Sequence, residues 1–133
     1  MPGLVLNLSG PADRALARRI VPALTELTCS ILDKKIAETM CIVKFVAAED
    51  WFIGGATLAE LGRKSFRLEV TITDETSTKS QKAAYQKGAF AMLAELIGNV
   101  HPHSNVHVID CRASAYGYGG VTQEYRHQHE AGR

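Results

Sequence analysis

Apolar and polar positions follow two different periods along this chain, and each period occurs twice. Leu4, Val5, Leu6 and Leu8 make a short apolar strand that stops at Ser9-Gly10-Pro11. Later, Leu68, Val70 and Ile72 alternate with Glu69, Thr71 and Thr73, so one face of that strand meets a core and the other meets a polar interior or an interface. Each strand leads into a segment with helical spacing. Leu16, Ile20, Leu24, Leu27 and Ile31 recur three and four residues apart, with Asp13 placed to cap the helix start. Pro22 lies inside this pattern and is expected to kink the helix or shorten its first turns. Thr78 with Gln81 three residues on is a capping-box signature, and it precedes a stripe of Tyr85, Ala89, Met92, Leu93 and Leu96. Strands over 41–46 and 106–111 follow the two helices, the second after a break at 99–105 that contains Pro102.

The halves also end alike. After its second strand, each has a small loop, an aromatic and paired glycines: Trp51-Phe52-Ile53-Gly54-Gly55 and Tyr116-Gly117-Tyr118-Gly119-Gly120. The order is β-α-β, then β-α-β, in a single domain, with repeat one over 1–64, repeat two over 65–123 and a polar tail over 124–133. This string fits a ferredoxin-like split β-α-β sheet. It fits equally well a pair of parallel β-α-β units set antiparallel by a pseudo-twofold, with both helices on one face. Periodicity alone does not choose between them.

Composition narrows the function classes. The 133 residues carry 15 Lys+Arg against 14 Asp+Glu, a formal net charge of +1, which excludes nucleic-acid or anionic-membrane binding through bulk charge. The apolar runs are too short to span a bilayer, and Met1-Pro2-Gly3 lacks the basic start of a secretory signal. Cys29, Cys41 and Cys111 are odd in number with no C-x-x-C spacing, which fits reduced core cysteines and a cytoplasmic protein. His101-Pro102-His103 and His127-Gln128-His129 have metal-like spacing but no convincing strand beneath them, so neither a metal nor another cofactor is expected. P-loop, dinucleotide, serine-hydrolase and zincin signatures are missing.

Two features together resemble the tautomerase superfamily, which includes 4-oxalocrotonate tautomerase (4-OT) and macrophage migration inhibitory factor (MIF). One is the start Pro2-Gly3-Leu4-Val5-Leu6, proline after the initiator Met and then an apolar strand. The other is the aromatic-x-Ile-Gly-Gly hairpin at Trp51–Gly55, repeated at Tyr116–Gly120. The resemblance covers nearly the whole chain except the tail. It implies an α+β two-layer sandwich, the β-α-β-β-α-β unit with a mixed four-stranded sheet, assembled as a homotrimer whose inner face takes Asn7, Glu69, Thr71 and Thr73.

The resemblance also implies a chemistry. Removal of Met1 would expose the secondary amine of Pro2. Burial in an apolar pocket disfavours the charged form of such an amine, so it would act as a general base between carbon and oxygen of a small keto/enol acid. The 4-OT arginines have no match here: their positions fall on Ala12, with Arg14 displaced, and on Met40. The turn entering the second helix, Asp74-Glu75-Thr76-Ser77, lacks the arginines of the related dehalogenases. The MIF pattern fits better. Its pocket lysine corresponds to Lys34 or Lys35, and its pocket tyrosine from a neighbouring subunit to His107, which should face away from the helices between Val106 and Val108. Lys34 and Lys35 also read as solvated charges at a helix C-terminus, and His107 as an interface histidine. Trp51 and Phe52 compete to wall the pocket, with Tyr116 beside them, and Arg112 is a candidate replacement cation. The alternatives to a tautomerase are a hydratase, dehalogenase or decarboxylase on the same amine, or a non-catalytic trimer that binds or scaffolds.

Overall fold

The computed structural model describes residues 2–130. Four long strands form one sheet: β1 (Gly3–Ser9), β2 (Met40–Val46), β5 (Phe66–Thr73) and β6 (Asn105–Cys111), in the order β2-β1-β5-β6. β1 runs parallel to β2 and β5 parallel to β6, while β1 and β5 meet antiparallel at the centre. Because β1 and β2 are direct neighbours, no strand is inserted between them and the split ferredoxin-like arrangement is excluded. The sheet is two parallel β-α-β units placed back to back.

Both long helices, α1 (Arg14–Leu32) and α3 (Lys79–Ile97), lie against one sheet face and against each other. Leu4, Leu6 and Leu8 of β1 and Phe66, Leu68, Val70 and Ile72 of β5 point into that layer, where they meet Ile20, Leu24, Tyr85, Ala89 and Leu93. The alternation read in the sequence is thus the alternation of buried and half-exposed positions. The start of α1 is capped by Asp13, whose carboxylate accepts the Leu16 N–H at 3.0 Å. Pro22 does not shorten α1, which is continuous from Arg14. α3 has the full capping box: Thr78 Oγ1 accepts the Gln81 N–H at 3.1 Å and the Gln81 side chain accepts the Thr78 N–H at 2.7 Å. Replacing Thr78 with alanine is expected to cost about 1 kcal/mol in a denaturant titration, with no change in slope.

Two hairpins follow the parallel units, β3 (Phe52–Ile53) with β4 (Ala56–Thr57) and β7 (Gly117–Tyr118) with β8 (Val121–Thr122). Each is joined by two residues, and all four of Gly54, Gly55, Gly119 and Gly120 have positive φ. A two-residue loop matching strand twist needs positive φ at both positions, which is why each motif carries paired glycines. Each hairpin runs into a helix, α2 (Leu58–Leu61) and α4 (Gln123–Glu130). The expected polar tail is therefore a helix over most of its length. Thr57 and Thr122 hydroxyls cap the two helices, accepting N–H groups from Glu60 and Tyr125.

Inside the helix layer, Thr28 Oγ1 donates to the Leu24 carbonyl at 2.7 Å, so the Tyr85 hydroxyl, 2.7 Å from the same oxygen, donates to it. Burial holds the Tyr85 phenol far above its ordinary value. The unfolded phenol ionises near pH ~10 while the folded one keeps its proton, so stability present below that pH is lost as pH rises further. Chemical denaturation between pH 9 and 11.5 should show this decline, and Tyr85→Phe should flatten it, by up to about 1.4 kcal/mol per pH unit.

Candidate active site

Pro2 is buried at the start of β1, and its carbonyl accepts the Met40 N–H at 3.3 Å. It continues the inward-facing series Leu4, Leu6, Leu8, so its ring lies on the helix side of the sheet. Around this sheet end gather the C-terminus of α1, the end of β5 and the second hairpin. Asp33, Lys34, Lys35, Glu38, Thr73, Thr76, Gln123, Arg126 and His127 line a cavity of about 170 Å³ there.

Lys34 enters this cavity because α1 ends at Asp33, which takes a left-handed conformation and turns the chain back. Its Nζ donates to Thr76 Oγ1 at 2.8 Å. Partial burial lowers the pKa of this ammonium, with Asp33 opposing the effect. Tyr116 lies at the same end, with its hydroxyl bonded to Thr73 Oγ1. Burial raises its pKa and the Thr73 bond pulls it back. Lys35 is exposed, as is Arg112, in the turn after β6.

Trp51 and Phe52 are elsewhere. They border a different cavity, with Arg67, His103 and Asn105, where β5 and β6 begin. Seven-residue strands separate this end from Pro2 by roughly 20 Å. Phe52 is 61% exposed there, which is unusual for a large aromatic in a folded chain. His107 lies between the two ends, paired with Glu69 across β5 and β6 and exposed on the face away from the helices. One protomer thus brings Pro2, Lys34 and Tyr116 to one end and leaves Trp51, Phe52 and His107 away from it. The Met40 position has no cation, and Met40 itself is 62% exposed on an edge strand.

The residues missed from the sequence are Gln123 and Arg126. Arg126 Nη2 donates to the Tyr118 carbonyl at 2.9 Å and its guanidinium carbon sits 3.9 Å from the Tyr118 ring centroid, a cation–π contact. The signal available was the repeat itself: extended past the glycines, it pairs Thr57 with Thr122 and predicts a second helix.

No family profile and no curated protein matches the sequence. Solved structures do match. The native fused 4-OT superposes with a TM-score of 0.81 at 20% identity, over 92% of this chain and 97% of that one. A fused 4-OT solved as a symmetric trimer matches with a TM-score of 0.77 at 19% identity, over 98% and 99%. The MIF-like protein of Entamoeba histolytica matches with a TM-score of 0.70 at 14% identity, over 91% and 97%.

The chain has the fused 4-OT fold. Within this fold the two repeats correspond strand for strand. β1 pairs with β2 from Gly3 opposite Met40, and β5 pairs with β6 from Arg67 opposite Asn105, which makes Pro2 and Phe66 counterparts. No helix among the described residues is long and apolar enough to cross a membrane.

Proposed function

We propose that the chain, after loss of Met1, is a tautomerase in which the Pro2 amine carries a proton between carbon and oxygen of a small keto/enol acid. The observation that carries this reading is the burial of Pro2 at the start of β1, at the sheet end that also holds the Lys34 cavity, in a fold shared with fused 4-OT structures. An apolar surround favours the neutral amine, which is the form that accepts a proton. Lys34 then attracts and orients the acid through its carboxylate. The proline counterpart in repeat two is Phe66, in mid-chain and without a free amine, so each chain has a single catalytic end.

The distance of Trp51, Phe52 and His107 from Pro2 supports a site shared between copies. In a homotrimer, the exposed Phe52 and the outward His107 of one protomer would complete the end of the next. The exposed apolar residues Met40, Ile42 and Ile109, on strands at both edges of the sheet, fit burial in such an assembly. Sedimentation at micromolar concentration should give three chains per particle. Ketonisation of an arylpyruvate enol by protein of intact mass lacking Met1, set against Pro2→Ala, tests the activity.

A further inference from the structure

The repeats provide an internal comparison at the ends of their hairpins. The Trp51 carbonyl accepts the Leu58 N–H and the Tyr116 carbonyl accepts the Gln123 N–H, both at 2.9 Å, so Leu58 and Gln123 are counterparts. Both are sealed from solvent, at 1% and 3% exposure. Leu58 lines an apolar cavity where β5 begins, whereas Gln123 lines the Lys34 cavity where β1 begins. Repeat one shows that leucine satisfies this position as packing. Repeat two instead buries an amide whose Oε1 has no hydrogen-bond partner, which costs stability that leucine does not.

A second unmet group lies one turn further along α4. Arg126 Nε is buried without a partner, although the rest of the guanidinium is pinned by the Tyr118 carbonyl and ring. Two acids, Asp33 and Glu38, line the same cavity, and Glu38 accepts the Tyr118 hydroxyl at 3.2 Å. Among the described residues the ion pairs are Arg67–Glu69 and Lys82–Asp110, so Arg126 and Lys34 have no carboxylate within ion-pair distance, although the Asp33 charge still acts on Lys34. The cavity therefore sets three cations, Lys34, Lys35 and Arg126, against two acids, and adds one buried donor and one buried acceptor without partners. At about 170 Å³ it lies below the ~300–1,000 Å³ typical of whole-ligand pockets and suits one end of a small acid.

We propose that this cavity is an anion subsite, with a carboxylate held by Arg126 and Lys34 and an adjacent enol or hydroxyl donating to Gln123 Oε1. Its natural occupant is the carboxylate end of a 2-oxo acid in its enol form. The choice of an enol acid rests on the proposed tautomerase activity, while the anion subsite does not. Arg126 supplies, from the C-terminal helix, the cation missing at Ala12 and Met40.

Lactate, propionate and lactamide separate the contributions, because they keep both groups, the carboxylate alone and the hydroxyl alone. The Arg126 Nε–H resonance, assigned by its loss in Arg126→Lys, should move saturably with lactate, less with propionate and not with lactamide. Arg126→Lys and Gln123→Leu should each weaken lactate binding by about tenfold to a hundredfold. Gln123→Leu copies the repeat-one residue, so it should also raise the melting temperature, which separates lost binding from lost folding. An unmoved Arg126 resonance, or lactate binding unchanged in Gln123→Leu, overturns the subsite. Pro2→Ala should bind lactate normally. Lactate binding with no Pro2 dependence of ketonisation would sink the tautomerase reading alone, and the reverse pair of results would sink the subsite alone.

Discussion

Pro2→Ala is expected to lower the rate of enol ketonisation by about 10²–10⁴-fold, the usual contribution of a positioned general base. The ring fixes the nitrogen to the strand it begins, whereas alanine leaves a primary amine free to rotate. The fall should appear in kcat more than in KM, because Lys34 and the rest of the cavity stay in place. Protein that retains Met1 should behave like the variant, since an acylated proline nitrogen has no basic lone pair. Separating the two forms by mass and assaying each gives a control without any mutation. Equal rates in wild type and Pro2→Ala, with unchanged circular dichroism, would leave the chain as a non-catalytic member of its fold.

The largest stability effect is expected at the Pro2 counterpart. Phe66 is 0% exposed, pairs with Leu8 across the sheet centre and meets Phe90 with ring centroids 5.5 Å apart. Truncation to alanine removes the ring and leaves a cavity between sheet and α3, a change that costs about 3–5 kcal/mol. Set against a total of roughly 5–15 kcal/mol for a domain, this takes a large share of the folding free energy. Urea unfolding should show the midpoint falling without a change of slope. A loss below about 1 kcal/mol would mean that the helix layer closes over the gap and that the two sheet ends are less rigid than their packing suggests.

Most of the fold was legible because it rests on short-range rules. The helix caps at Asp13 and Thr78 depend on residues three apart, the strand faces on alternate residues, and the hairpin loops on adjacent glycines. His107 was correctly placed away from the helices on the same grounds. Strand pairing was not legible, because the choice between the two sheet orders depends on which distant strands meet. The helix at Gln123–Glu130 was passed over because its sequence is almost wholly polar and offers no apolar stripe. It is fixed instead by the Thr122 cap and by backbone bonds to Tyr116 and Ala113. For the same reason Gln123 and Arg126 escaped notice: a buried glutamine has no sequence signature until its apolar counterpart in the other repeat is identified. The separation of Trp51 and Phe52 from Pro2 was hidden too, since the hairpin follows the end of β2 and strand direction carries it to the far end.

The antiparallel join at the sheet centre sets when folding can be completed during synthesis on the ribosome. Gly3 must find Thr71 and Leu8 must find Phe66 before β1 has neighbours on both sides. Until β5 has left the exit tunnel, the nascent first half holds an unfilled backbone edge and a row of leucines that α1 covers from above but nothing closes from the side. The chain therefore matures late, when most of it has already been made, and chaperone demand should peak just before that moment.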